Sequence, residues 1–465
     1  MRPSSVVRRN LASASRLSPS ENQFYEMKLQ PRCRQFLPIF IGWIALAVDD
    51  SSALTIDQAV AGALRGNLDL RAASYEVEKA RGRLLQAGLW PNPELELSTA
   101  TDRTFNDEGE QTSAAGFQQA FPISGRLRFA KRVSRVDVAQ AMAEIRNRER
   151  LLIGEVQRDF LNVLLLRQQI AANREFAELN REFVDVLEER LKRAEVSEVD
   201  VNLARVELQR LGMESAQFES DLVARELSLK LRMGLTPEAK ISLEGNVEAL
   251  AAKFRPEKYQ TTMVVNRPDL RQTELGIDRA AAEARLARAE AWADWTLGAS
   301  YESERTLDLP TGLRSDEFLG FKISIPIALW NRNQGRVYEQ KAASEQARQQ
   351  FEAQRLSIRS EIATALARAL KLRDAVGNYR RDLLPALSQT NSLVRNGYNE
   401  GLIPATQVIQ LQQQQTTLRS SFLSATGNYL QALVDLETAT ASSPFLKKDF
   451  LQNRTVDSPR NSSQK

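Results

Sequence analysis

The chain has 465 residues, 7% of them aromatic and 26% charged, with no histidine and a single cysteine, Cys33. That composition removes histidine-based catalytic triads, His/Cys metal centres and intrachain disulfides in one step, and no Walker-type or GxGxxG phosphate loop is present. The net charge of +4 is no nucleic-acid footprint: residues 1–53 hold seven of the 63 basic and four of the 59 acidic residues, leaving 56 against 55 in the remainder.

Met27 to Ala53 reads as a secretory signal peptide. Lys28, Arg32 and Arg34 form its charged start, Phe36–Val48 is an apolar run of 13 residues, and Ser51-Ser52-Ala53 offers a small-residue cleavage site. A membrane-spanning helix would need a longer run. Residues 1–26 are rich in Ser and Arg and show no periodicity, so translation starting at Met27 is the alternative to Met1. We expect 1–53 to be an extension plus a cleaved signal. Cys33 precedes the apolar run, whereas a lipid-anchored cysteine follows it, so no lipid anchor is expected. Past Ala53 no apolar stretch is long enough for a membrane helix; any membrane entry must be made by β-strands.

The rest of the chain is a tandem duplication with a period of roughly 200 residues. Asp69-Leu70-Arg71 recurs as Asp269-Leu270-Arg271. In each half a helical run ends near Trp90 or Trp292, two alternating segments follow, and Gly125-Arg126 or Gly335-Arg336 opens a very long helix. That helix breaks at 193–200 in the first half and 399–407 in the second, and another helix follows. The predicted repeats are 54–250 and 251–440; 441–465 reads as a polar, disordered tail. From Arg126 to about Lys192 no proline intervenes, and apolar residues recur at spacings of three, four and seven, including Val156, Phe160, Phe176, Leu179 and Phe183. The next helix carries a heptad seam (Val201, Ala204, Leu208, Leu211, Ser215, Phe218, Leu222). The last helix repeats it (Val408, Leu411, Gln415, Leu418, Phe422, Ala425, Tyr429). Such seams predict left-handed coiled coils, and a helix of this length is a rod of about 100 Å. Pro385 is expected to kink the second long helix.

Four segments alternate with period two: 94–101, 115–123, 295–302 and 319–327. Leu95 and Leu97 oppose Glu94 and Glu96, and Leu319, Phe321, Ile323, Ile325 and Ile327 oppose Gly320, Lys322 and Ser324. Each is about long enough to cross a bilayer as a tilted strand, with an apolar outer face and a polar inner one. Polar loops are predicted at 102–114 and 303–318. Trp90, Trp292, Trp295 and Trp330 fall where an aromatic girdle would lie. Four strands cannot close a barrel, so several chains must contribute.

With its tandem halves, LTIDQAVAGALRGNLDLRAA (54–73), GLWPNPELE (88–96) and YNEGLIPATQVIQ (398–410), the chain resembles the TolC family of outer-membrane efflux proteins over about residues 54–440. The segments GLWPNPELE and FPISGR (121–126) are similar to its CzcC- and CusC-like metal-cation branch. The absence of a cysteine just after the signal departs from the lipidated members of that branch.

The resemblance implies a mainly α fold with a small β part and a tandem internal repeat. Long antiparallel coiled-coil helices would form a periplasmic α-barrel, and four strands per chain would contribute to a trimeric twelve-stranded transmembrane β-barrel. It implies a homotrimer in the outer membrane that acts as a passive conduit for small solutes, heavy-metal cations among them, with a periplasmic adaptor and an inner-membrane pump as partners and no cofactor, enzymatic activity or nucleic acid. The helix turns carrying Glu195, Val196, Ser197, Gly401, Leu402, Ile403 and Pro404 would be the tips that meet the adaptor. Asp200, Glu198, Tyr398, Gln407 and Gln410 would lie at the periplasmic aperture. There the family carries acidic residues at the positions of Gln407 and Gln410, so negative charge at the mouth is expected to come from Asp200, with Glu195 and Glu198 beside it. Residues 54–66, 234–265 and 438–465 would decorate the tunnel's equator or outside. The competing readings are a periplasmic adaptor and a structural coiled-coil protein of the envelope. The first lacks its Gly- and Val-rich β domains here, and the second leaves the strands unexplained.

Overall fold

The computed structural model describes residues 53–446 except 105–107, 254–255, 257–266, 309 and 445. The expected signal segment and most of the tail lie outside these residues. The chain runs α1 (Ile56–Gly66), α2 (Leu68–Gln86), β1 (Glu94–Thr101), β2 (Gln111–Phe121), α3 (Arg126–Lys192), α4 (Glu198–Arg232), α5 (Val247–Lys253), α6 (Pro268–Ala289), β3 (Trp295–Asp308), β4 (Gly312–Ser324), α7 (Gln334–Asn378), α8 (Leu384–Asn399) and α9 (Ala405–Thr440). A π turn, Tyr379–Leu383, joins α7 to α8. Each half therefore reads helix, two strands, long helix, turn, helix.

The α3 helix has 67 residues, a span of about 100 Å. Its seam is less regular than the sequence pattern suggests. Leu179 is exposed, and Asn173 and Asn180 are buried in its place. Each bonds backbone: Asn173 Nδ2 donates to the Leu211 carbonyl on α4 (2.9 Å) and Asn180 Nδ2 to the Phe176 carbonyl (3.1 Å). A straight helix drifts about 20° per heptad against a seven-residue repeat, which carries Leu179 out of the seam. On α4 and α9 the seams do face inward, with Val201, Ala204, Leu211, Leu411, Phe422 and Tyr429 buried.

Pro385 acts through its missing N–H. The helix widens one turn earlier, where the Leu384 amide reaches back five residues to the Tyr379 carbonyl, and Pro385 enters the first turn of α8, the position that tolerates it. Tyr379 stacks on Phe422 of α9, ring centroids 4.6 Å apart.

The start of each long helix differs from expectation in the second half. The residue preceding the helix is left-handed in both, Gly125 (φ 73°) and Asn333 (φ 60°). Asn333, not Gly335, is thus the counterpart of Gly125; Gly and Asn are the residues that enter this region cheaply. Asn333 also donates through Nδ2 to the Ala287 carbonyl of α6 (2.8 Å).

The strands form one antiparallel sheet in the order β1-β2-β3-β4. β1 keeps its predicted bounds, whereas β2, β3 and β4 run farther at their hairpin ends, so the hairpins are shorter than predicted, and β2 and β4 stop at Phe121 and Ser324 rather than at 123 and 327. Pairing continues from Thr101↔Gln111 in the first hairpin and reaches Asp308↔Gly312 in the second. The predicted 16-residue loop at 303–318 is therefore a tight turn after Asp308, because Arg305, Leu307 and Leu313 extend the alternation that the sequence reading ended at Glu302.

The main core lies around mid-α3, where Val156, Phe160, Val163 and Leu164 meet Ala59, Val60 and Ala63 of α1, Leu229 of α4 and Leu430 of α9. The segments around 54 and 243 join there through a parallel bridge, Leu54 N–H donating to the Ser242 carbonyl (2.7 Å) and Glu244 N–H to the Leu54 carbonyl (3.0 Å).

One lock is repeated in both halves. Asn67, two residues before Asp69, donates through Nδ2 to the Arg232 carbonyl at the end of α4 (2.9 Å). Arg267, two residues before Asp269, donates to the Ala439 carbonyl near the end of α9 (2.9 Å). Each helix thereby finds a partner for a carbonyl that its own ladder leaves open. Buried Arg267 is held by Asp269 through two hydrogen bonds (3.0 and 2.6 Å) and by Glu361 (2.6 Å). Buried Arg150 adds a bond to the Thr438 carbonyl (2.7 Å).

Burial alone would raise the Asp269 carboxyl, but its hydrogen bonds from Arg267 and the charges of Arg267 and Arg150 outweigh this and hold it below the usual carboxylate range. Its contribution is therefore complete above the unfolded value of about 3.9 and is lost as the pH falls through the folded value. Arg267→Ala should cost roughly 3 kcal/mol by removing both guanidinium bonds to the partly buried Asp269 carboxylate and the bond to the Ala439 carbonyl, read as a lower thermal midpoint of the extracted protein. Below about pH 4 the parent should lose stability more steeply than Asp269→Asn; equal acid sensitivity would contradict this assignment.

Candidate channel wall and entrance

Residues directly opposite in a sheet share a face, so the register sorts the side chains without ambiguity. One face carries the rows Leu95–Phe117–Ala299–Phe321 and Leu97–Ala115–Tyr301–Leu319, with Leu297–Ile323 and Phe121–Trp295 beside them. The other carries Glu94–Gln118–Gly298–Lys322 and Glu96–Gly116–Ser300–Gly320. Among the described residues nothing covers the apolar face: Phe321 is 80% exposed, Leu97 72% and Leu319 71%. The apolar band stops at the row Thr99–Ser113–Ser303–Glu317. Glycine is concentrated on the polar side, where a Cβ on Gly298 would lie 3.3 Å from the Phe117 carbonyl oxygen and one on Gly320 2.8 Å from Ser300 Oγ. Small residues there let the sheet curl toward its polar face.

Trp90, Trp292, Trp295 and Trp330 sit near the helical end of the sheet. Trp90 meets Phe121 edge-on with centroids 5.8 Å apart. Trp90, Trp292 and Trp330 are well exposed, and Trp295 is 38% exposed. Arg126, the first residue of α3, pairs with Asp294 beside β3, Nε to Oδ1 at 2.8 Å, which ties the root of the sheet in one repeat to the long helix of the other. Among the described residues no helix is long and apolar enough to cross a membrane.

At the opposite end the two helix turns pack on each other. Both are built alike. In the first, Ala194 is left-handed (φ 59°) and the Glu195 amide donates to the Arg190 carbonyl (3.0 Å). In the second, Gly401 is left-handed (φ 75°) and the Leu402 amide donates to the Gly397 carbonyl (2.8 Å). This is a Schellman closure in each repeat. It makes Ala194 the counterpart of Gly401, Ser197 of Pro404 and Asp200 of Gln407.

Between the tips lies a small core: Val184 and Leu187 of α3, Val201 and Ala204 of α4, Tyr398, Ala405 and Ile409, with Val196 packed against it. Tyr398 is 8% exposed. Its ring meets Phe183 edge-on at 5.5 Å and lies under the Arg190 guanidinium at 4.6 Å. Burial pushes its hydroxyl above the ordinary tyrosine range.

The aperture candidates thus separate. Tyr398 is part of the packing that joins the tips. Gln407 and Gln410 are exposed, as are Glu195 and Glu198, on the tip surface with Gly401, Leu402 and Pro404; Ile403 and Val196 are half-buried. Asp200 is partly exposed and closes a capping box: its Oδ2 accepts from the Ser197 amide (3.2 Å) while Ser197 Oγ accepts at the start of α4. That second task of Asp200 was written in the sequence as S-x-x-D and was missed beside its charge.

Residues 60–235 and 262–442 match the family described as outer membrane efflux protein. The chain is 25% identical to the cobalt-zinc-cadmium resistance protein CzcC of Cupriavidus metallidurans over 393 residues, 83% of this chain and 89% of that one. It is 23% identical to the cation efflux system protein CusC of Escherichia coli K12 over 417 residues, 86% and 88% of the two chains. Among solved structures, a CusC crystal structure aligns with a TM-score of 0.70 at 20% identity over 83% of this chain and 91% of that one. The outer membrane protein VceC of Vibrio cholerae aligns with a TM-score of 0.66 at 16% identity over 83% and 95%. The structural likeness establishes the fold.

The tip geometry makes a local prediction. A Cβ at position 401 meets no neighbour, so Gly401→Ala should cost only the left-handed backbone strain, about 1 kcal/mol, and Gly401→Asn less. Hydrogen exchange at the Leu402 and Ile403 amides, both bonded to the Gly397 carbonyl, should accelerate most in the alanine variant and little in the asparagine one. Equal protection in all three would show that the turn is not held by this closure.

Proposed function

This chain belongs to the outer membrane efflux protein family, and we propose that three copies of it form a passive channel that carries metal cations out of the periplasm, driven by an inner-membrane pump and joined to it by a periplasmic adaptor. The observation that carries the reading is the sheet. Its apolar face is bare, its polar face is lined by small and charged residues, and β1 and β4 are both open edges. An unpaired edge and an uncovered apolar face suit a barrel wall in lipid and little else. Three four-stranded sheets joined edge to edge make twelve strands. The same joining brings α4, whose outward side presents Val199, Val206 and Met213 to solvent, against the next copy. Metal cations as the cargo rest on the likeness to CzcC, a cobalt-zinc-cadmium resistance protein, and CusC, a cation efflux system protein.

In this reading the paired turns at 193–197 and 400–404 are the periplasmic mouth and the surface offered to the adaptor. Three copies of Gln407 and Gln410 would stand around the opening as amides, and negative charge would come from Asp200 with Glu195 and Glu198. Carboxylate rings attract cations far more than amide rings do. In planar bilayers under a salt gradient, Asp200→Asn should shift the reversal potential toward lower cation preference. Gln407→Asp should shift it the other way and introduce block by divalent cations. Because an asparagine side-chain oxygen can still accept from the Ser197 amide, the first change separates charge from folding. If both variants keep the parent's ion preference, the aperture does not lie at these residues.

A further inference from the structure

The polar face of the sheet holds one residue out of character. Phe318 stands opposite Glu302 in β3, Glu302 opposite Ala114 in β2, and Ala114 opposite Ser98 in β1. Phe318 is the only aromatic residue of the four strands on this face, and its ring is not tucked away: it is 51% exposed. The register leaves no room for a slip, since its neighbours Glu317 and Leu319 pair with Ser303 and Tyr301 on the other face. We propose that Phe318 and its two copies form an aromatic collar that sets the width of the channel near its outer end. The proposal rests on the channel reading above and adds the element that limits passage.

Three considerations lead there. A twelve-stranded barrel lies between eight-stranded barrels, whose interiors side chains can fill, and barrels of 16–18 strands, which leave an aqueous channel. At that size a few large side chains decide whether the bore is open. The row just inward of Phe318 is Glu96–Gly116–Ser300–Gly320; beside Phe318 its β2, β3 and β4 positions are all glycine or serine, so a phenylalanine in each third of the wall is a local step in width. The height of that step is fixed by the other face. Glu317, next to Phe318, pairs with Ser303 where the apolar band ends, which places the collar level with the outer boundary of the membrane. Such a collar narrows the bore, so it hinders bulky solutes more than small ones.

The test reads passage through the outer mouth alone, so the state of the periplasmic aperture does not enter. Cys33, the one native cysteine, is changed to serine throughout. Ser300→Cys places a thiol one row inward of the collar, and Leu319→Cys places one on the apolar face. Whole cells receive a small or a bulky membrane-impermeant thiol reagent from outside. The small reagent should label Ser300→Cys at the same rate whatever occupies position 318. The bulky reagent should label it slowly beside Phe318, severalfold faster with Phe318→Ala, and slower still with Phe318→Trp. Leu319→Cys should resist both reagents until the membrane is dissolved. If Phe318→Ala and Phe318→Trp leave bulky labelling unchanged while the small reagent still enters, the collar is overturned and the channel reading stands. If Leu319→Cys is labelled in cells and Ser300→Cys is not, the orientation of the wall is wrong and both fall.

Discussion

A backbone N–H or C=O group in hydrocarbon must find a partner within protein, because no water is there to serve. That constraint governs this molecule. The four strands satisfy one another inside the sheet but leave β1 and β4 each with an open side, and the face that would normally sit on a core has none of the described residues on it. Among the described residues none repairs either defect, and the helices leave the sheet at one end. Closure by further copies satisfies the edges and offers the bare face to lipid in a single step.

The helical part obeys a different requirement. It must be stiff over a long distance while remaining wet on both sides, and α3, α4 and α9 meet it with narrow seams. The price of a narrow seam is little hydrophobic burial per residue, and the equator compensates. There α1, the 54–243 bridge and the ends of α4 and α9 gather into the largest core, and the carbonyl locks through Asn67 and Arg267 fasten the end of each repeat. Below it, Glu248 of α5 pairs with Arg380 in the π turn (3.2 Å) and Arg419 of α9 (3.5 Å), bracing the one place where the second long helix departs from regular winding.

Much of this was legible in the chain. The repeat, the helix lengths, the heptad seams and the apolar and polar faces of the strands are all periodic signals, and periodicity survives without knowledge of contacts. What escaped detection depended on geometry at single positions. Strand ends were set too early because Ser303, Glu304 and Arg305 look like loop residues, although they only continue the ladder beyond the apolar band. Gly335 drew attention as a helix start, yet Asn333 adopts the left-handed turn. Leu179 fitted the seam by count and lost its place to helical drift. At the tips, Tyr398 carried the look of a pore residue, and its burial between Phe183 and Arg190 could be found only once the two turns were seen to pack together.

The barrel wall depends on closure of the sheet by other copies of the chain. The most direct measurement is the number of chains in the detergent-extracted protein, by limited crosslinking with circular dichroism on the same sample. Open edges predict that crosslinking plateaus at three chains with strand content intact. A monodisperse single chain that keeps its strands would contradict the account, since its edges and bare apolar face would then need no partner.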